Sequence, residues 1–177
     1  MRHKPNGSIE IRPYRDTDLD RVRWLFARTP PWGRTYPAPQ PLPEELEDVS
    51  RNFALAWVAL EQDMAGEAVV GFAAVSAFDA SEPDETPDFV DLSRRMSRIR
   101  WLSVAPERWR VGIGRLLVQE TIDWARAEGY EAALVETTVQ QQAAIALYEA
   151  MGFVQAGEYL LHGRWQQTWM ELALPRA

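Results

Sequence analysis

The chain has 177 residues, enough for one domain with a buried core, and 46% of them are apolar, as in soluble globular proteins. Its 19 Lys and Arg against 26 Asp and Glu leave a net charge of −7, which argues against nucleic-acid binding, where clustered cations must meet phosphates. With no cysteine, disulfides, thiolate nucleophiles and Cys-ligated metals are excluded, and the two histidines, His3 and His162, lie too far apart to suggest a metal site.

The N-terminal residues are polar and carry no signal-peptide core, so residues 1–8 are expected to form a flexible tail of a single domain spanning 1–177. Ile9 to Arg12 alternates as a first strand, closed by Pro13, and Asp16 or Thr17 then caps a helix with Leu19, Val22, Leu25 and Phe26 at helical spacing. Residues 29–43 hold six of the 12 prolines, with Trp32, Gly33 and Tyr36 among them, and read as an irregular loop. Pro43 and the acids Glu44, Glu45, Glu47 and Asp48 open a second helix, since carboxylates favour the positive end of its dipole.

Two strands follow, 56–60 and 68–78, joined by a turn at 63–66. Residues 68–78 are also the longest uncharged apolar stretch and are too short to cross a bilayer, so a cytoplasmic protein without membrane contact is expected. Residues 79–91 carry six acids and no base, which reads as a solvated insertion able to gather cations. A strand at 98–104 and a helix from Gly112 to about Gly129 come next, then a strand at 132–138, a helix at 141–151, and closing strands at 153–161 and 166–174. This order predicts an α/β fold with a mixed sheet and helices on both faces.

The segment from Leu102 to Leu117 carries the first chemical signal. It is a strand, a short turn and a helix opening on Gly112 and Gly114, where unpaired amides and the helix dipole favour an anion such as a pyrophosphate. The same glycines fit a plain tight turn. A Rossmann site needs Gly or Ala where Leu117 stands, and a P-loop needs a Gly-Lys-Ser/Thr that does not follow.

A second block lies at 136–153. Ala144-Ile145-Ala146-Leu147-Tyr148 and Met151-Gly152-Phe153, together with the strand 101–104, Pro106-Glu107 and Gly112-Ile113-Gly114, resemble the GNAT (GCN5-related N-acetyltransferase) family over about 99–153. The resemblance implies a single-domain, mostly antiparallel sheet with a splayed central strand pair. It implies acetyl-CoA as co-substrate, its pantetheine arm paired with Leu102, Ser103 and Val104 as an added strand. The diphosphate would sit on Arg110, Val111, Gly112, Ile113, Gly114 and Arg115, and an amide near Leu102 would polarise the thioester carbonyl.

Tyr148 matches the family's general acid, and its alternative is a core tyrosine. Reference values of about 10 for a phenol and about 8.5 for a thiol leave proton donation to the thiolate only about 2 kcal/mol uphill. Two positions depart from the family. Trp109 replaces the Gln or Arg that begins the phosphate loop, leaving Arg108 and Arg110 either to supply the charge or to be solvated. Gln141 stands where an Asn would contact the cofactor.

The acceptor is expected to be a primary amine of a small molecule or a peptide. A lysine-like amine is deprotonated at pH 7 at a cost of about 4.6 kcal/mol, so a base or water relay is required. The histone-type glutamate position falls on Arg98. Glu136, on the next strand, is the candidate base, and a salt bridge to Arg98 or Arg100 is its alternative. Trp32 and Tyr36 fall where the family builds its acceptor wall, or else cap the core. Two other classes stay open, a non-catalytic acyl-CoA-binding domain and an interaction module with a degenerate site. A homodimer is an expectation drawn from the family alone.

Overall fold

The computed structural model describes residues 8–29, 43–63, 66–78, 87–161, 163 and 165–175. Strand β1 (Ile9–Pro13) leads through a 3-10 turn at Asp16–Asp18 into α1 (Leu19–Arg28). After a 3-10 turn at Glu44–Glu47 come α2 (Val49–Asn52), β2 (Leu55–Asp63), β3 (Gly66–Ala77) and β4 (Met96–Val104). The second half runs α3 (Ile113–Ala127), β5 (Ala132–Thr138), α4 (Gln142–Glu149), β6 (Val154–Leu161) and β7 (Trp165–Ala173). The acidic stretch after Pro43 thus makes one 3-10 turn and a short helix where the sequence suggested one continuous helix. Residues 44–48 supply charge but few apolar anchors, and only Leu46 and Val49 are buried there.

The seven strands order as β1-β2-β3-β4-β5-β7-β6, antiparallel except between β4 and β5. The two faces can be told apart at consecutive residues of β3, whose side chains point oppositely. Phe72 meets Phe26 of α1 edge-on at 5.7 Å. A Cβ on its neighbour Gly71 would lie 2.9 Å from side chains of Ile113 and Leu117 in α3. Hence α1 and α3 cover opposite faces, and Gly71 lets α3 seat closely. The first turns of α3 join the core of β2 and β3, while Val118 and Ile122 join that of β5 and β7.

Two irregularities open the middle of the sheet. Parallel pairing of β4 and β5 covers only Met96–Ile99 with Ala132–Val135, although both strands run on. Beyond that point β4 follows β3, up to Gly71↔Val104, and β5 follows β7, up to Thr138↔Gln167. Opposite Ala73, β4 also carries an extra residue, a bulge at Trp101 and Leu102, with Trp101 at φ 53°. The strands diverge and leave a V.

Candidate active site

A cavity of about 420 Å³ lies in the V, lined by side chains from both faces of the sheet. On the α3 face it is reached by Leu102 and Tyr148, and on the α1 face by Glu45, Arg98, Arg100 and Glu136. Ile99 packs against Val118 in the α3-side core, so the alternation of β4 sends Arg98 and Arg100 to the other face.

On the α3 face the backbone is built to take hydrogen bonds. Ala105 N–H donates to Val70 C=O at 2.9 Å, so the preceding residue, Val104, turns its N–H and C=O away from β3 and toward the V. Arg110 at φ 63° and Gly112 at φ 95° bend the chain into α3. The first helical bond there is Leu116 N–H to Gly112 C=O at 3.1 Å. The amides of Ile113, Gly114 and Arg115 therefore stand outside the helical ladder, with the dipole behind them, a donor set that suits a diphosphate. At Gly114 a Cβ would lie 3.2 Å from Leu147, so the missing side chain lets α4 lie against the first turn of α3.

The other loop residues sort by their partners. Trp109 is 59% exposed, yet its Nε1–H donates to Val104 C=O at 2.7 Å and so occupies a cleft-facing acceptor of β4. Val111 and the Arg110 side chain are exposed. The Arg115 guanidinium donates to Ala150 C=O at 3.1 Å, tying α3 to the end of α4. Arg108 corrects both alternatives raised for it, because its guanidinium pairs with the buried Glu61 at 2.7 Å. Ser103 is buried. Gln141 accepts a hydrogen bond from Thr137 Oγ1 at 3.0 Å and lines the cavity.

Tyr148 is 3% exposed, packs against Phe153 with ring centroids 5.6 Å apart, and faces the cavity. Burial pushes its phenol well above the ordinary value, so it stays a neutral O–H donor. Thr138 also lines the cavity, and its buried Oγ1 has no partner among the described residues.

On the α1 face the charges are paired. Arg98 Nη2 lies 2.5 Å from Glu136 Oε2, and Tyr159 O–H donates to Glu136 Oε1 at 3.2 Å. Both carboxylate oxygens of Glu136 are thus engaged on the cavity wall. Arg100 donates to both oxygens of Glu45 at 2.7 and 2.9 Å, and Trp101 Nε1–H donates to Glu45 Oε2 at 2.6 Å. The sequence reading missed Glu45, Tyr159 and Thr138. Glu45 lies 55 residues from Arg100 in the chain, and no local pattern signals such a pair. Trp32 and Tyr36 lie outside the described residues. Among the described residues no group of three or more His, Asp or Glu side chains could hold a metal ion, and no helix is long and apolar enough to cross a membrane.

The model of the acetyltransferase (GNAT) family matches residues 19–153, and the chain belongs to this family. It is 35% identical over 124 residues to the probable N-acetyltransferase family 8 member 5 of Mus musculus, covering 68% of this chain and 49% of that protein. It is 33% identical over 141 residues to N-acetyltransferase family 8 member 3 of Rattus norvegicus, covering 77% and 55%. The chain thus spans about half the length of these curated relatives. In fold it is similar to Arabidopsis thaliana NAA60 in complex with acetyl-CoA, with a TM-score of 0.74, 20% identity, and coverage of 94% and 99%. The ribosomal-protein-S18-alanine N-acetyltransferase of Escherichia coli aligns with a TM-score of 0.65, 21% identity and 96% of each chain.

Proposed function

We propose that the protein is an acetyl-CoA-dependent N-acetyltransferase that moves the acetyl group directly to a primary amine of a small molecule or a peptide. One observation carries this reading: β4 and β5 diverge around a cavity lined by Leu102 and Tyr148 on the α3 face and by paired charges on the opposite face, and β4 leads on to a helix start with unpaired amides. Fold neighbours crystallised with acetyl-CoA, or with a peptide and CoA, support acetyl-CoA as the co-substrate.

The amides of Ile113, Gly114 and Arg115 hold the diphosphate, and Val104 offers its N–H to the pantetheine arm. The bulge at Trp101 sets Leu102 at the tip of the V, where its amide polarises the thioester carbonyl. The amine nitrogen attacks that carbon, an N–C bond forms and the C–S bond breaks. Tyr148 O–H hydrogen-bonds to the departing sulfur and supplies its proton. Glu136, held by Arg98 and Tyr159, orients the incoming ammonium and takes its first proton through water. The second nitrogen proton, released as the amide forms, restores Tyr148 through solvent. The products are an N-acetyl amide and CoA. Thr138 Oγ1 is available to a polar group of either substrate.

Calorimetric titration with acetyl-CoA, with NAD as control, tests the cofactor side. Micromolar or tighter binding of acetyl-CoA and none of NAD is the expected result. If neither binds, the enzyme reading gives way to an interaction module. Parallel screens of small amines and of peptides with free N-termini, followed by release of CoA thiol, then assign the acceptor class.

A further inference from the structure

Trp101 is a bulky residue at φ 53°, in a left-handed region that side chains larger than Asn rarely adopt. Such a conformation persists only where its surroundings over-determine it. Three contacts do so here. The indole N–H is bonded to Glu45 Oε2 at 2.6 Å, the ring meets Phe26 edge-on at 6.4 Å, and Glu45 is itself fixed by two bonds from Arg100. Glu45 belongs to the 3-10 turn that forms the α1-side rim of the cavity, so one carboxylate ties that rim to the bulge.

The bulge decides which backbone groups the cofactor meets. Flattening the bulge into regular pairing, with no residue removed, would shift the alternation of every later position by one. Val104 would then turn its N–H and C=O toward β3, and Ser103 would face the V instead.

We infer that Glu45 is a positioning residue for acetyl transfer: it holds Trp101 in the left-handed conformation and thereby presents Leu102 and Val104 to the acyl-pantetheine arm. The inference rests on the acetyltransferase reading of this cleft. The phosphate loop at 110–115 lies outside the clamp, so the two ends of the cofactor respond differently when Glu45 is changed.

The test measures binding of acetyl-CoA and of adenosine 3′-phosphate 5′-diphosphate, which carries the phosphates without the arm, to the wild type, Glu45→Ala, Glu45→Gln, Trp101→Phe and the Glu45→Ala/Trp101→Phe double variant. Glu45→Ala and Trp101→Phe each weaken acetyl-CoA about tenfold and leave the arm-less nucleotide unchanged. Glu45→Gln, which keeps an oxygen for the indole, recovers most of the loss. The double variant is no worse than either single one, as for two ends of one contact. Loss of affinity for both ligands in parallel, or full acetyl-CoA affinity in Glu45→Ala and Trp101→Phe, overturns the clamp. Absence of acetyl-CoA binding in the wild type overturns the acetyltransferase reading itself, a separate outcome.

Discussion

Tyr148 and Glu136 stand on opposite faces of the sheet and carry different expectations. A buried phenol whose pKa is raised stays protonated at neutral pH and beyond, so in the proposed reaction it would give a hydrogen bond and a proton to the leaving sulfur. Tyr148→Phe is expected to lower kcat by about 10²–10⁴-fold with acetyl-CoA affinity nearly unchanged, and in the wild type Tyr148 adds no alkaline fall in rate below pH about 10. A Tyr148→Phe enzyme of full kcat would make this residue core packing alone. Asp18 gives a stability prediction remote from the cleft. Burial opposes its charge, but Arg12 donates two bonds at 2.7 and 2.8 Å and Arg15 N–H a third at 2.9 Å, and the net effect holds its carboxyl below the usual range. A depressed carboxylate stabilises the fold above its unfolded pKa of about 3.9, and this part is lost as pH falls through the lower folded value. Asp18→Asn is therefore expected to cost about 3 kcal/mol at pH 7 in urea unfolding, and the deficit relative to wild type should shrink toward pH 2. A deficit independent of pH would show that shape and not charge is what Asp18 supplies.

At the scale of elements, the closeness of α3 to the sheet depends on Gly71, where an added methyl meets Ile113 and Leu117 at 2.9 Å and Ala59 at 3.1 Å. Gly71→Ala is expected to destabilise the fold by about 1–3 kcal/mol through forced repacking. With the diphosphate on the first amides of α3, as proposed, it should also weaken acetyl-CoA; thermal melting and calorimetry on one sample check both. The elements themselves were legible in the sequence wherever periodicity was local. The alternation of 9–12, the helical spacing in 113–127 and the glycine ends at Gly129 and Gly152 all correspond to observed elements or turns. What could not be read was produced by pairing between distant segments. The bulge at Trp101 exists because β3 and β4 slip past each other at Ala73, and a tryptophan gives no local hint of a left-handed backbone. Likewise the arginines flanking Trp109 looked alike in sequence, and only the arrival of Glu61 from β2 separates Arg108 from Arg110. The glycine helix start and the tyrosine of α4 were legible because each sits in a short contiguous motif, whereas the charged wall of the cavity is assembled from β4, β5, β6 and the 44–47 turn.

At the scale of the whole molecule, the sheet is two halves joined at one short seam. From Met96–Ile99 to Ala132–Val135 the halves share a ladder, and α3 packs on both. A ligand lying in the V against β4 would complete the pairing that the divergence leaves open. Binding to the folded state alone adds about 2.7 kcal/mol at 100-fold excess over Kd, which for a domain of this size raises Tm by about 5–10 °C. That shift by itself does not locate the arm, since a ligand held only by the phosphate amides would produce it too. Hydrogen exchange does locate it. Ala105 N–H is already bonded to Val70 and should not change, whereas Val104 N–H faces the cleft and should gain protection when acetyl-CoA binds. A higher Tm with no added protection at Val104 would mean that the arm never joins the sheet and that Trp109, bonded to the Val104 carbonyl at 2.7 Å, keeps that edge for itself. Protection at Val104 together with a changed Trp109 fluorescence would instead mean that the indole yields its place as the arm enters, which joins the two halves through the substrate.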